Sequence, residues 1–220
     1  MGRGANNWEI SRPRLVADAL TLDQSLQNSY SSHILSCKSL PPLQMSGMYS
    51  VTSAVPVGSS QYSFPIVRGF TRLQTIYVSF HDNDASGKFV IRLYPPLDTQ
   101  ENVNAIDDIE CYMTIGAERF PQFSVDSQQE AFYRLRLAQL IHQGSDSFSI
   151  TPSAYRSDKF LIGRDFEKAP GSAAHSGINT RSGAQFTINL KNTGAATLCH
   201  VILIYSQSLD VSAAGCQVLD

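Results

Sequence analysis

The stretch Asp82-Asn83-Asp84-Ala85-Ser86-Gly87 comes nearest to a site for chemistry, because it spells the first six positions of a calcium loop. Oxygen donors at the first, third and fifth places, with glycine sixth, suit a hard cation. The twelfth place, where a bidentate glutamate would complete the set, is Leu93. Asp, Asn and Gly are also the ordinary residues of turns, so the stretch reads as a turn between strands. Asp107, Asp108 and Glu110 form a second acidic cluster that could hold a cation or act as paired carboxylates. Three acids beside a polar loop are the pattern of a solvated surface. His33, His81, His142, His175 and His200 never fall at metal-ligand spacing. His175-Ser176 pairs a base with a nucleophile, but the G-x-S-x-G elbow that would expose such a serine is missing. There is no Walker loop and no G-x-G-x-x-G. The expectation is a protein with no catalytic set, no metal site and no cofactor.

Composition points the same way. In 220 residues, 42% are hydrophobic and only 16% charged, and the net charge is −2. A nucleic-acid binder would carry a basic face, so no direct nucleic-acid site is expected. Arg3, Arg12 and Arg14 make a weakly basic arm. The first twenty residues have no apolar core of a signal peptide, and no run reaches the ~20 apolar residues of a membrane helix. An intracellular chain without membrane contact is expected. The four cysteines, Cys37, Cys111, Cys199 and Cys216, are too far apart for a zinc or redox motif and read as free thiols.

The elements are mostly strands. Leu198 to Ser206 is the most apolar run, and Gln185 to Leu190 alternates Phe186, Ile188 and Leu190 with polar residues. With Lys191-Asn192-Thr193-Gly194 between them, the two read as an antiparallel hairpin central to one sheet. Lys159 to Gly163 is a third apolar run. Earlier strands are expected at Met45 to Val51, Tyr62 to Ile66, Leu73 to Phe80, Phe89 to Tyr94 and Cys111 to Ile115, with an extended segment over Arg14 to Leu20. Asp23 can cap a short helix with Leu26, Tyr30, His33 and Ile34 on one face. Ser127 and Glu130 form a capping box for a second helix through Leu140, whose apolar residues spread around more than half its circumference. The 95–108 stretch is polar and irregular. About eight to ten strands without βαβ alternation favour a sandwich or barrel.

Four stretches resemble the C-terminal jelly roll of the double-jelly-roll major capsid proteins of polinton-like and adintovirus-type DNA viruses. They are Trp8-Glu9-Ile10 leading to LVADALTLDQSLQNSYSSHILSCKSLP, Glu130 to Leu135, FLIGRDFEKAPGSAAHSGINTRSGAQFTINLKN, and HVILIYSQSLDVSAAGCQVLD. The resemblance implies an all-β fold: an eight-stranded jelly-roll sandwich with one or two short helices in inter-strand loops, over 15–220, behind an N-terminal arm of 1–14. It implies a structural protein of a virion that self-assembles as a homotrimer or higher assembly, with other capsid proteins as further partners. Those relatives carry two rolls, so a chain with one corresponds to a fragment, a host-resident copy or a single-roll protein. The helix with two apolar sides makes Leu137 and Leu140 the candidate subunit-interface residues. The alternative is a jelly-roll ligand- or carbohydrate-binding module, whose site would lie near Tyr94, Asp98 and Asn102.

Overall fold

The computed structural model describes residues 11–14, 16–36, 43–56, 61–81, 110–139, 150–157, 159–166, 177–181, 185–191, 198–212 and 215–219. They fall into two compact units. The larger comprises Gln44–Ser208 with Leu219–Asp220, and the smaller Met1–Leu43 with Leu209–Val218.

In the larger unit the chain runs through β1 (Leu43–Ala54), β2 (Gln61–Ile66), β3 (Leu73–His81), β4 (Glu110–Ile115) and β5 (Glu118–Val125). Helices α2 (Gln128–Ala138) and α3 (Pro152–Ser157) follow, then β6 (Ile162–Asp165), β7 (Phe186–Lys191) and β8 (Leu198–Ser212). One sheet has the order β1-β8-β3-β6 and the other β2-β7-β4-β5. Two antiparallel four-stranded sheets in these orders form a jelly-roll sandwich.

The alternation of apolar residues decides which face each strand buries. On one sheet Ile76, Val78 and Phe80 lie beside Leu203, Val201 and Cys199 across the β3–β8 pair. On the other, Cys111, Met113 and Ile115 lie opposite Leu190, Ile188 and Phe186. All twelve side chains are buried in one core with Phe70, Tyr155 and Phe160. Each large apolar residue taken fully out of water contributes roughly 1.5–3 kcal/mol. The β4–β5 hairpin turns at Gly116, whose φ of 59° suits a residue without a side chain, and its amide donates to the Gln185 carbonyl at 3.1 Å.

Several expectations change. β7 and β8 are not a hairpin, since β7 lies inside one sheet and β8 inside the other. Their single apolar faces are satisfied equally well across the core as side by side, and turn-forming residues between them fit either path. β8 is an inner strand, as its apolarity required. The strand expected at Lys159–Gly163 begins later, at Ile162, with Phe160 fully buried ahead of it. β5 and α3 had no clear periodic signal, and β5 contains Pro121 behind a cis peptide bond. The strand expected at Phe89–Tyr94 and the 95–108 loop lie outside the described residues.

α2 starts where its cap places it. The Ser127 hydroxyl accepts the Glu130 amide at 3.2 Å, a contact worth on the order of 1 kcal/mol. The return half of the capping box is replaced, because the Glu130 carboxylate takes the Arg134 guanidinium one turn on, at 2.7 Å from Nε. Ala131, Leu135 and Ala138 form the buried stripe. Leu135 and Ala138 sit against Gly163 of β6, and the Tyr77 hydroxyl of β3 donates to the Ala138 carbonyl at 3.1 Å.

In the smaller unit, α1 (Gln24–Leu35) forms where Asp23 predicts it, but none of its residues is buried. Asp23 is at the N-cap position without a capping hydrogen bond from its side chain, and its carboxylate accepts the Ser25 hydroxyl instead. That hydrogen bond comes first among the causes holding Asp23 below the usual carboxylate range. The described residues of Arg14–Leu20 form no strand and are exposed. β8 ends in this unit and pairs with β9 (Gly215–Leu219), an exposed strand that the sequence did not signal.

Candidate functional site

Of the residues that could do chemistry, many lie outside the described residues: Asp82 to Gly87, Leu93, Tyr94, Asp98, Asn102, Asp107, Asp108, His142, His175 and Ser176. Glu110 is described. It begins β4, and its carboxylate meets Arg119 at 3.3 Å, Lys191 at 3.8 Å and the Ser124 hydroxyl at 2.7 Å. Arg119 also lies 3.8 Å over the Tyr112 ring and bonds Ser124. The glutamate thus ties three strands of one sheet together, a surface ion-pair role. No group of three or more His, Cys, Asp and Glu that could hold a metal occurs among the described residues.

β3 and β8 bring together a pair that the linear sequence separates. Ser79 lies opposite His200 in the register, and Ser79 Oγ sits 2.9 Å from His81 Nε2. The His81 and His200 rings are 6.3 Å apart. Burial first, and His200 second, hold His81 below the ordinary histidine range. Serine catalysis would also need an acid to orient the imidazole. The described contacts of His81 are a hydroxyl on its own strand and the imidazole of His200, and the Ser79 hydroxyl makes the polar link between strands by donating to the His200 carbonyl at 3.4 Å. Burial pushes the Cys111 and Cys199 thiols up to about 12, away from the reactive thiolate.

Arg68 was not singled out from the sequence. Its guanidinium lies 4.8–5.2 Å from the ring centres of Tyr49, Phe70 and Tyr205 and donates to the Tyr205 hydroxyl at 3.1 Å. Each cation–π contact contributes about 0.5–2 kcal/mol depending on desolvation. Tyr49 and Tyr205 are remote in sequence, so no local pattern could have flagged the cluster. Gly47 belongs to it, because a Cβ there would fall 2.6 Å from the Tyr205 ring. Beside it runs an open groove of about 530 Å³ between the end of β2 and the start of β7, with Arg68, Gly69, Thr180 and Arg181 in its wall. Thr180 is pinned by its amide to the Phe70 carbonyl and by its hydroxyl to the Phe70 amide, both at 2.8 Å.

The remaining candidates are surfaces. Leu137 is half-buried on α2, and Leu140 lies outside the described residues. Tyr133 of the same helix is 59% exposed. Other apolar residues facing water are Met48 at 70%, Phe123 at 81% and Val67 at 97%. No described helix is long and apolar enough to cross a membrane.

No protein-family profile matches the chain. No curated protein sequence matches it either. Solved structures do. A quasi-atomic model of the PBCV-1 virus capsid matches 90% of this chain at a TM-score of 0.52 and 9% identity, over 54% of its own length. The crystal structure of PBCV-1 VP54, fitted into a cryo-EM reconstruction of the virophage Sputnik, matches 90% at a TM-score of 0.50 and 10% identity, also over 54%. The chain therefore spans about half the length of these structures. At such identities the likeness is one of fold, and the chain has the jelly-roll fold found in these viral capsid structures.

Proposed function

We propose that this chain is a structural, non-catalytic jelly roll of capsid type that associates with copies of itself in a virion, as a trimer or higher assembly. The observation that carries the reading is the two-sheet jelly-roll fold, β1-β8-β3-β6 with β2-β7-β4-β5, and its structural likeness to viral capsid structures over 90% of the chain. The sequence resemblance refines it to the second roll of polinton-like or adintovirus-type capsid proteins, with 1–14 as an arm. The matched structures are nearly twice as long, so the chain corresponds to about half of each, as a fragment, a host-resident copy or a protein that uses one roll alone would. Among the described residues, the buried thiols Cys111 and Cys199 and the surface ion pairs of Glu110 suit a protein whose function is its surface.

The test is the association state. Analytical ultracentrifugation and negative-stain imaging should show rings or shells at micromolar concentration. Leu137→Glu and Leu140→Glu, made separately, test whether either residue meets a partner: the one that does should dissociate the assembly without unfolding the protomer. A purified chain that stays monomeric to near-millimolar concentration refutes the reading. The groove beside Arg68 and Arg181 then favours the second reading, a binding module for an anionic ligand. Glycan-array or phosphate binding lost in Arg181→Ala would establish that alternative.

A further inference from the structure

We propose that the outer edge of β1 is a strand-addition site that pairs antiparallel with β1 of a second copy. Among the described strands, the ends of the two sheet orders are β1, β6, β2 and β5. Natural edges are blunted against pairing by shortness, proline, charge or bulges. β6 is four residues long and carries Arg164 and Asp165. β2 has six residues and contains Pro65. β5 carries Glu118, Arg119 and Pro121, and its register is broken by a bulge against β4. β1 is neither short nor charged, and no proline interrupts it. Its twelve residues, Leu-Gln-Met-Ser-Gly-Met-Tyr-Ser-Val-Thr-Ser-Ala, include no charge and no proline. At ~3.3 Å per residue it offers an edge ~40 Å long. Among the described residues its strand neighbour is β8 alone.

The character of that edge selects the occupant. An isologous antiparallel contact sets residue i against residue j of the other copy and j against i, so with Met48 at the centre Ser46 would face Ser50 and no charge would be brought into the contact. An uncharged strand is the kind that tolerates this at every register, and a basic or acidic partner would gain nothing from it. The core also stops short there. Tyr49 and Val51, on the inward face of β1, are only half-buried against the core. A second β1 would continue both sheet and core across the contact, and would cover Met48 at its centre. The inference rests on the self-association reading and names a surface for it that is separate from Leu137.

The test uses exposed Ser46 and Ser50 on the full chain. S46K/S50K and S46E/S50E, each alone, should weaken association at least tenfold while thermal midpoint and circular dichroism hold. Mixing the two variants should restore association, since unlike charges then meet. Hydrogen exchange should show β1 amides that exchange in dilute monomer and become protected in the assembly. If the wild type assembles and both variants assemble equally well, this inference fails and the capsid-type reading stands. A wild type that never assembles refutes that reading and this inference together. Protection of both edges of β1 already in the monomer would mean that the chain fills the edge itself, which also overturns the proposal.

Discussion

α2 is seated directly over Gly163 of β6, and adding one methyl group there tests that seat. A Cβ at this position would lie 2.8 Å from Leu135 Cδ1, 3.0 Å from Leu135 Cα and 3.2 Å from Ala138 Cβ. The first contact is with a side-chain end that could rotate, but Leu135 is fully buried and has little room to turn. The second is with the helix backbone, so relief requires α2 to move away from β6. Overpacking of this kind costs roughly 1–3 kcal/mol. Gly→Ala also reduces the freedom of the unfolded chain, which returns about 0.4–1 kcal/mol. The steric cost is the larger, and Gly163→Ala should be destabilising by about 1–2 kcal/mol net. For a domain of this size that is a fall in midpoint of about 2–8 °C. Leu135→Ala alone should cost about 2–5 kcal/mol as a fully buried leucine. The double variant should be less destabilised than the sum, because removing Cδ1 relieves part of the clash. Urea titration of the four proteins measures this cycle. An unchanged midpoint in Gly163→Ala, or strict additivity with Leu135→Ala, would mean that α2 does not rest on β6 as described. Because α2 carries Leu137, a displaced helix should also alter association, which sedimentation of the same samples reads independently.

The thiols should separate by burial: alkylation of the native protein at mildly alkaline pH should modify exposed Cys216 and spare Cys111 and Cys199 until the chain is unfolded, as peptide mass spectrometry would show. Early labelling of either buried cysteine would contradict the core. For His81 the folded-state pKa is depressed, so the unfolded chain takes the proton first. Its contribution to stability is therefore present above the ordinary histidine value of about 6.5 and is lost as pH falls below it. His81→Gln should flatten the drop in urea midpoint between pH 7.5 and 5.5, and an unaltered slope would remove His81 from the account.

Much of this protein is determined by local pattern. Alternation at Phe186, Ile188 and Leu190, at Cys111, Met113 and Ile115, and at Ile76, Val78 and Phe80 fixes which face of each strand meets the core. Period two depends on backbone geometry alone, so it survives any arrangement of partners. The Ser127 cap is equally local, since donor and acceptor lie within one helical turn. Sheet membership is different. The alternation of β7 and β8 is the same whether they pair or face each other across the core, and the separation of the two into different sheets is decided by which other strands compete for their edges. The same holds for Glu130, where Arg134 outbids the reciprocal cap, and for Arg68, whose aromatic partners come from β1, β8 and the segment before β3. The place of β1 at the end of the order β1-β8-β3-β6 is the clearest case. The strand's lack of charge and proline is plain in the sequence, but only the tertiary structure places it there, because position in a sheet is set by contacts between residues far apart in the chain.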